Sequence, residues 1–300
     1  MGIASTDAES VALTEKSFSV SDYDLAATLS SGQAFRWSCQ QGAWSSVVAG
    51  RWVQLIQNGD TISALTTARD SNWNWLEDYL QLNVNLPEII RTFPKDAVLT
   101  EAVKSSNGLR LLKQNHWECL ASFILSSTKQ IVQIQHCVEL LCQRFGERVP
   151  TPEGVGICHA FPTAQRLTQA SEAELRACKL GFRAPYLLKS AQQIAQGNLR
   201  LDLLQSGSLE EARLQLMTLP GVGPKIADCV LLFAYGFPRA FPVDVWIYKA
   251  IQQLYFPNRR VSNQRMQKFT ESYFGSNSGY AQQYIFHYMR TKIRRTQQCK

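Results

Sequence analysis

A lysine at residue 225 stands where the chain could use it for chemistry. Lys225 lies in the stretch LPGVGPKIADC, residues 219–229, directly after two glycines and a proline. We expect it in the first turn of a helix, where the helix dipole disfavours an ammonium, and a dry surrounding adds to this effect. A neutral amine is a nucleophile that forms an imine with a carbonyl carbon. A contact between the ammonium and a phosphate is the alternative role.

An aspartate follows nineteen residues later, in the stretch FPVDVW. The neighbours of Asp244 are apolar, and a carboxylate among them is costly unless it is paired or caps a helix. We expect Asp244 to cap the helix WIYKAIQQLY, a role that can coexist with catalysis. Lys225 and Asp244 are therefore the candidate catalytic residues.

Two further polar side chains accompany the lysine on the same predicted helix. Cys229 follows Lys225 by four residues and so shares its helix face. Asp228 follows it by three residues, and we expect this carboxylate to be a partner at the surface.

The residues before the lysine form a turn between two helical patterns. Gly221 and Gly223 let the backbone turn tightly and approach another backbone closely. Pro224 suits the first turn of the following helix, where its missing N–H costs nothing. A helix–hairpin–helix of this kind points amides at a phosphate without reading bases, and its loop carbonyls can hold a cation. A plain connection between two helices is the alternative.

The first third of the chain has the pattern of an antiparallel sheet. Short strand-like segments between residues 35 and 67 are separated by QQG, AG and NGD, and they read FRW, WSSVV, WVQLI and TISALT. Asn58-Gly59 predicts a two-residue hairpin loop. Successive strands joined in this way pair as an antiparallel meander.

The remainder of the chain has a helical pattern. Its longest stretch, ECLASFILSSTKQIVQIQHCVELLCQRFG, keeps apolar residues at spacings of three and four and stops at Gly146. Ser171 and Glu174 form a capping box at the start of SEAELRACKLG, and SLEEARLQLMTL and SGYAQQYIFHYMRTKIRR are further helices. We therefore predict an α+β protein, with an antiparallel sheet domain over residues 1–107 and a helical region over residues 108–300.

The charge of the 300-residue chain is unevenly distributed. The net charge is +7; residues 1–110 carry 8 basic and 12 acidic residues, whereas residues 111–300 carry 23 and 12. A basic C-terminal part suggests a polyanionic partner, although a merely soluble basic surface would explain the same charge.

The composition points away from membrane, secreted and iron–sulfur proteins. No run reaches about 18 apolar residues, and the N-terminus lacks the basic and apolar segments of a signal peptide. The eight cysteines are scattered without a CxxC pair, which is typical of free thiols in a reducing compartment, and Cys299 alone cannot hold a cluster at the C-terminus. His136, Cys137 and Cys142 lack a fourth zinc ligand, and we expect them to pack within a helix.

Several separated motifs resemble one family in their order and spacing. LPGVGPKIADC followed by PVDVW looks like the helix–hairpin–helix glycosylase superfamily. Within it, four more motifs are similar to those of the 8-oxoguanine DNA glycosylase/AP lyase family, namely SGQAFRW (31–37), ECLASFILSS (118–127), LGFRAPYL (180–187) and GYAQQYIF (279–286). The match runs from about residue 22 to residue 290.

The resemblance implies a role for each matching residue. Lys225 matches the nucleophile and Asp244 the catalytic aspartate. Gly32 matches the glycine whose carbonyl accepts the N7–H of 8-oxoguanine, and Gln282 matches the glutamine that pairs with the Watson–Crick edge. The residues implied to sandwich the flipped base are Phe286 and Cys229.

The hairpin carries two further implied roles. Gly221 and Gly223 match positions that approach the DNA backbone. The residues implied to hold a structural cation through their backbone carbonyls are Met217, Leu219 and Val222.

The chain departs from the eukaryotic members where the family reads the base opposite the lesion. The asparagine run begins here with Thr128, and the arginine that follows is replaced by Gln133. Arg183 matches the second cytosine contact, but its neighbour is Phe182 where a tyrosine is usual. Trp246 stands in place of a histidine that touches phosphate. These departures are similar to those of bacterial members and predict a weaker preference for cytosine.

The resemblance implies a bifunctional enzyme that excises 8-oxoguanine from duplex DNA by base flipping and nicks the strand through a Schiff base and β-elimination. We expect double-stranded DNA with oxidised guanine as the partner, no required cofactor, a monomer, and an intracellular, DNA-associated location in a bacterial cytoplasm or a nucleus. An alkylpurine glycosylase of the same superfamily is one alternative, against which Lys225 argues. A non-catalytic DNA-binding module of the same fold is the other, and the intact set of Lys225, Asp244 and Gln282 argues against it.

Overall fold

The computed structural model describes residues 12–67 and 72–298, with side chains up to residue 292. Cys299 therefore lies outside the described residues. Five antiparallel strands form one sheet in the order β1-β5-β4-β3-β2, namely β1 (Thr14–Ser19), β2 (Ser38–Gln40), β3 (Ala43–Val48), β4 (Arg51–Asn58) and β5 (Thr61–Thr66). A second pair of short strands, β6 (Arg148–Val149) and β7 (Cys158–His159), lies within the helical part.

The predicted antiparallel meander is confirmed, with two corrections. The predicted strand FRW is wrong, because strand β2 begins at Ser38, immediately after that segment. Asn58 pairs with Thr61, so the two-residue loop consists of Gly59 and Asp60 and lies one residue later than predicted. Gly59 takes the positive φ of 57° that such a turn requires. Strand β1, which the sequence pattern did not indicate, pairs with β5 at the edge of the sheet.

Helices form the rest of the described chain. In order they are α1 (Leu25–Ser30), α2 (Asn74–Leu80), α3 (Leu86–Arg91), α4 (Ala97–Ser105), α5 (His116–Leu125), α6 (Ile131–Phe145), α7 (Ala164–Leu167), α8 (Glu172–Ala177), α9 (Ala184–Ala195), α10 (Leu209–Leu216), α11 (Pro224–Phe233), α12 (Val245–Tyr255), α13 (Asn263–Tyr273) and α14 (Ser278–Gln298). The predicted α+β class is confirmed, and so is the capping box of Ser171 and Glu174 at the start of α8.

The longest predicted helix is two helices. Helix α5 ends at Leu125 and α6 begins at Ile131, and between them Thr128 adopts a left-handed backbone conformation with φ 57°. A threonine in that conformation interrupts a helix, so the apolar spacing continues while the helix axis does not. The predicted end at Gly146 is confirmed, since Gly146 caps the C-terminus of α6.

The sheet and the helices are joined by buried polar contacts near Gln33. Its amide oxygen accepts from the Leu112 N–H at 2.7 Å, and its amide nitrogen donates to the Arg110 carbonyl at 2.8 Å. The Gln114 side chain donates in turn to the Gln33 carbonyl at 2.7 Å. These bonds hold the loop that contains Gly32 against the start of the helical part. The exact boundary at residue 107 stays a prediction.

None of the described helices combines the length and the apolarity that spanning a bilayer would require.

Candidate active site

The hairpin between α10 and α11 has the form that its glycines predict. Gly221 adopts φ 77°, and a Cβ atom on it would lie 2.6 Å from the Tyr186 ring, so only glycine fits there without strain. Gly223 has an extended backbone and caps the N-terminus of α11, with no protein atom within 4 Å of the position of a Cβ. Pro224 is the first residue of the helix. The backbone at Gly223 is therefore open to another molecule.

Lys225 follows in the first turn of α11 and points into the protein. Its Nζ donates to Ser126 Oγ at 3.2 Å and lies 5.3 Å from the centre of the Phe123 ring. Both residues belong to the end of α5, which packs against α11. The surroundings of the amine thus include one hydroxyl and one aromatic face, which suits a partly dry site.

Cys229 lies one turn further along the same helix face and is 3% exposed. Burial raises the pKa of its thiol to about 12; the charge of Lys225 opposes this shift and that of Asp244 adds to it. The thiol is therefore neutral at physiological pH, and both charged residues are close enough to act on it.

Asp244 caps helix α12, as predicted. Its Oδ1 accepts from the Ile247 N–H at 2.7 Å, which leaves Oδ2 available for another contact. The side chain is half-buried. A carboxylate fixed in this way keeps its direction without a partner cation.

One cavity of about 410 Å³ brings most of the predicted residues together. Those that line it are Gly32, Lys225, Cys229, Asp244, Trp246, Gln282 and Phe286. They come from the loop after α1, from α11, from the start of α12 and from α14, so the site exists only in the folded chain. Its volume and its mixed polar and apolar lining suit a small planar ligand.

Lys225 and Asp244 also line a second, open cleft of about 1270 Å³ formed with helices α12 and α13. The pair therefore stands where the smaller cavity meets the larger cleft. Six basic residues line this cleft, namely Arg213, Lys225, Arg239, Lys249, Arg259 and Arg260, together with four acidic ones, namely Glu210, Asp228, Asp244 and Glu271.

Gly32 and Gln282 line the cavity from opposite ends of the chain. Gly32 has φ 84°, and a Cβ atom there would lie 2.8 Å from Ile131 and 3.0 Å from Arg290. Gln282 is 4% exposed and donates from Nε2 to the Pro242 carbonyl at 3.1 Å. Its Oε1 is buried without a hydrogen-bond partner among the described residues. A buried acceptor left without a donor costs free energy until a ligand supplies one.

Phe286 lies one turn after Gln282 on helix α14 and is half-buried. The Arg290 guanidinium carbon lies 5.4 Å from the centre of its ring. Phe286 and Cys229 both line the cavity from different helices, which agrees with a ligand held between them.

The residues predicted to face the opposite base lie outside the cavity. Arg183 is 4% exposed and donates to the Ser127 carbonyl and, at 2.6 Å, to Thr128 Oγ1. Its guanidinium also lies 4.2 Å from the centre of the Phe182 ring, which is 51% exposed. Gln133 Oε1 accepts from the Gln130 N–H at 3.0 Å at the start of α6. Without DNA, Arg183 and Gln133 thus stabilise the segment between α5 and α6.

The three hairpin residues implied in cation binding lie at the C-terminus of α10 and in the turn. Met217 is 36% exposed, whereas Leu219 and Val222 are almost fully buried. The Leu219 carbonyl already accepts from the Val222 N–H at 3.1 Å, which leaves one lone pair for another contact. Among the described residues, no group of three or more His, Cys, Asp or Glu side chains forms a metal site. The predicted packing within a helix is confirmed for Cys137 and Cys142, which are buried in α6, and is wrong for His136, which lies on the exposed face of the same helix.

Asp228 is not at the surface, which corrects the expectation drawn from its spacing. It is 8% exposed and accepts from Arg213 Nε at 2.7 Å, so the ion pair joins α10 to α11 beneath the hairpin. Burial raises the pKa of Asp228 to about 6, and the neighbouring Glu210 and Glu271 add to the shift while Arg213 opposes it.

Three residues of the site were not identified from the sequence. Ser126 and Phe123 contact the Lys225 amine from a helix about 100 positions earlier in the chain. Arg290 lines the cavity and lies four residues after Phe286 on α14. Its spacing of four and eight residues from Phe286 and Gln282 was the available signal, because it places all three on one helix face.

Two known families match consecutive parts of the chain. Residues 17–120 match the N-terminal domain of 8-oxoguanine DNA glycosylase. Residues 121–274 match the HhH-GPD superfamily of base excision DNA repair proteins.

Individual proteins are similar along most of the chain. An N-glycosylase/DNA lyase of Saccharomyces cerevisiae is 31% identical over 267 residues, which cover 78% of this chain and 69% of that protein. The solved structure of MBOgg1 with a low-affinity DNA ligand has a TM-score of 0.88 and 35% identity, covering 93% of this chain and 96% of that one. The 8-oxoguanine glycosylase/lyase of Clostridium acetobutylicum, solved with double-stranded DNA containing cytosine opposite 8-oxoguanine, has a TM-score of 0.85 and 31% identity, covering 94% and 98%.

Proposed function

Because the chain belongs to the 8-oxoguanine DNA glycosylases of the helix–hairpin–helix base excision repair superfamily, we propose that it excises 8-oxoguanine from duplex DNA and then cleaves the strand. The observation that carries this proposal is that one cavity combines an amine, a carboxylate and buried polar groups suited to a purine. A base inside a duplex must be extruded before its glycosidic bond can be attacked, and the cavity receives it.

Recognition depends on one hydrogen atom of the lesion. Ordinary guanine has a bare N7 acceptor, whereas 8-oxoguanine carries N7–H. The Gly32 carbonyl accepts that hydrogen, and it meets a lone pair in guanine, a mismatch of about 1–3 kcal/mol. Gln282 Oε1, which has no donor among the described residues, accepts from the Watson–Crick edge of the base.

The chemistry uses the amine and the carboxylate in turn. The neutral amine of Lys225 attacks C1′ of the deoxyribose, and the electron pair of the C1′–N9 bond leaves with the base. Asp244 stabilises the positive charge that develops on the sugar. The amine and the opened sugar form a Schiff base, and β-elimination then breaks the strand. With water as the nucleophile no imine would form, and the strand would stay intact.

DNA binding outside the cavity rests on phosphates. The open backbone at Gly223 approaches one phosphate, and the basic residues of the larger cleft attract the strand that continues from the flipped nucleotide. Trp246, which is 57% exposed beside Asp244, contacts the strand through its ring where other family members use a histidine. The enzyme acts as a monomer on DNA inside the cell and requires no metal or organic cofactor.

The two alternatives make different use of the lysine. An alkylpurine glycosylase would excise its base without a covalent amine adduct, and a non-catalytic module would bind DNA without excision. The position of Lys225 Nζ, between a hydroxyl and an aromatic face and beside Asp244 in one cavity, favours a nucleophile over either.

Borohydride trapping on a duplex with one 8-oxoguanine tests the proposal. We expect a covalent protein–DNA adduct that Lys225→Gln abolishes while lesion binding is largely retained, because only an amine makes a reducible imine. Lys104→Gln is the control, since Lys104 is exposed on α4, lines neither the cavity nor the larger cleft, and should leave the adduct yield unchanged. An adduct of undiminished yield from Lys225→Gln would remove this lysine from the nucleophile role.

A further inference from the structure

Arg290 places a guanidinium in the wall of the base cavity. It lines the cavity from α14, and its Nη1 lies 3.0 Å from the point where a Cβ on Gly32 would stand. Nη1 also donates to the Ser30 carbonyl at 3.3 Å, and the guanidinium carbon lies 5.4 Å from the centre of the Phe286 ring. The loop before Gly32 and the ring of Phe286 therefore hold the cation close to the backbone of Gly32, the residue whose carbonyl is proposed to read the lesion.

The charge of the cavity is predominantly positive. Among the described residues that line it, Lys129, Lys225 and Arg290 are basic and Asp244 alone is acidic. Lys225 must be neutral to attack, and Asp244 lies at the sugar end with it. An arginine cannot lose its proton in a protein, so Arg290 keeps a positive charge at the base end throughout the reaction.

The reaction creates a negative charge at that same end. When the amine forms its bond to C1′, the electron pair of the C1′–N9 bond moves to N9 and is shared with O8, which is bonded to the adjacent carbon C8. The proton that the Lys225 nitrogen loses on forming the bond balances the proton that the released base takes up. Until that transfer is complete, the base carries negative charge, and a fixed cation beside it lowers the barrier.

We propose that Arg290 is a further catalytic residue, which donates from its guanidinium to O8 of the departing base and stabilises the charge that develops there. O8 is the neighbour of N7–H on the base, and Arg290 lies beside Gly32 in the protein. Together they form a donor and an acceptor that match O8 and N7–H of the lesion. This inference rests on the proposed function, because it concerns the same base in the same cavity.

Two substrates separate base departure from the later steps. The first is a duplex with 8-oxoguanine, on which single-turnover excision is measured; the second is a duplex with a preformed abasic site, on which β-elimination is measured. We expect Arg290→Leu to lower excision by about ten- to a hundredfold and to leave β-elimination within about twofold of the wild type. Arg290→Lys should recover part of the excision rate, because it restores the charge without the planar fork.

The control variant is measured on the same two substrates, which also give the results that would overturn the proposal. Lys292→Leu removes an exposed cation from the same helix and should change neither rate. Undiminished excision by Arg290→Leu would overturn the proposal, and so would an equal loss on both substrates, which would indicate a phosphate contact or a folding defect. A wild-type protein that cleaves abasic DNA but leaves 8-oxoguanine in place would instead overturn the proposed function.

Discussion

At the scale of single residues, we expect Gln282 and Phe286 to recognise the flipped base. Gln282 lines the cavity, its Nε2 donates to the Pro242 carbonyl, and its Oε1 has no hydrogen-bond partner among the described residues. Phe286 offers a ring face on the same side of α14. Both act on the base, whereas the sugar chemistry depends on other residues.

Gln282→Ala and Phe286→Ala should each lower single-turnover excision of 8-oxoguanine. The first variant loses edge hydrogen bonds and the second loses stacking, each worth about 1–3 kcal/mol. Binding to undamaged duplex, measured by titration at several salt concentrations, should change little, because it depends on phosphates. Equal losses on damaged and undamaged DNA would mean that these residues shape the fold and not the pocket.

The preference for the base opposite the lesion can be predicted from three side chains, namely Arg183, Thr128 and Gln133. A free arginine presents paired donors that suit cytosine and penalise adenine. Here Arg183 is buried and donates a hydrogen bond to Thr128, and the side-chain amide oxygen of Gln133 accepts a hydrogen bond at the N-terminus of α6. Neither side chain is poised to reach across a duplex. We therefore predict a weaker preference for cytosine than in the eukaryotic enzymes.

Single-turnover excision of 8-oxoguanine opposite C, T, G and A measures this preference. We expect appreciable rates opposite bases other than cytosine. A preference for C over A of a hundredfold or more, about 2.7 kcal/mol, would show that Arg183 is released on DNA binding and that the argument from Gln133 is wrong.

At the scale of elements, the hairpin contains two glycines with different tasks. Gly221→Ala forces a Cβ against the Tyr186 ring at φ 77° and should lower the free energy of unfolding by about 1–3 kcal/mol. Gly223→Ala meets no protein atom and should leave stability within about 0.5 kcal/mol while weakening binding to undamaged duplex. Urea unfolding and DNA titration of both variants check this. Full DNA affinity in Gly223→Ala would exclude a close phosphate approach at this glycine.

The burial of Asp228 between α10 and α11 makes stability depend on pH. Asp228 has a folded pKa of about 6 against an ordinary value of 3.8, so the folded state binds the proton more tightly than the unfolded state. The associated stability is present below about pH 4 and is lost as the pH rises through about 6. Relative to Asp228→Asn, the wild type should therefore lose on the order of 2 kcal/mol of unfolding free energy between those limits.

Urea unfolding of both proteins across this pH range measures that difference. Asp202→Asn is the control, because Asp202 is exposed and its pKa is lowered by the hydrogen bond from Arg200, so any pH dependence should have the opposite sign. Parallel pH profiles of the wild type and Asp228→Asn would show that this carboxylate is not the titrating group.

At the scale of the whole molecule, the distribution of charge predicts how DNA binding depends on salt. Most of the excess positive charge lies in residues 111–300, which contain both the hairpin and the larger cleft, so DNA binding should weaken steeply with salt.

Neither Lys225 nor Asp244 requires a metal ion for the step assigned to it. A cation at the hairpin carbonyls would be a loosely held structural ion.

Treatment with EDTA should leave 8-oxoguanine excision intact, and metal analysis of the purified protein should find neither iron nor zinc in stoichiometric amount. Excision assays before and after chelation, with elemental analysis of the same sample, check both expectations. Stoichiometric iron with visible absorbance, or excision that is lost with EDTA and restored by a divalent cation, would contradict them.

Local sequence was sufficient for features that depend on neighbours in the chain. The turn at Gly221, the helix start at Pro224 and the capping role of Asp244 follow from residue types within a few positions of one another. The capping box at Ser171 is equally local. The sheet was predicted as a meander for the same reason, although the hairpin loop was displaced by one residue because Gly59 can occupy either turn position.

Tertiary structure decided the features that join distant segments. The apolar spacing across residues 118–146 does not reveal the break at Thr128, whose side chain is held by Arg183 from 55 positions later. The sequence spacing suggested that Asp228 lies at the surface, but in the folded chain it is paired with Arg213 of α10. The Lys225 amine obtains its surroundings from α5, and Gly32 meets Arg290 from the opposite end of the chain. Residue types identified the reactive groups, but burial and distance between remote segments set their environment, because desolvation and direct contact act through space.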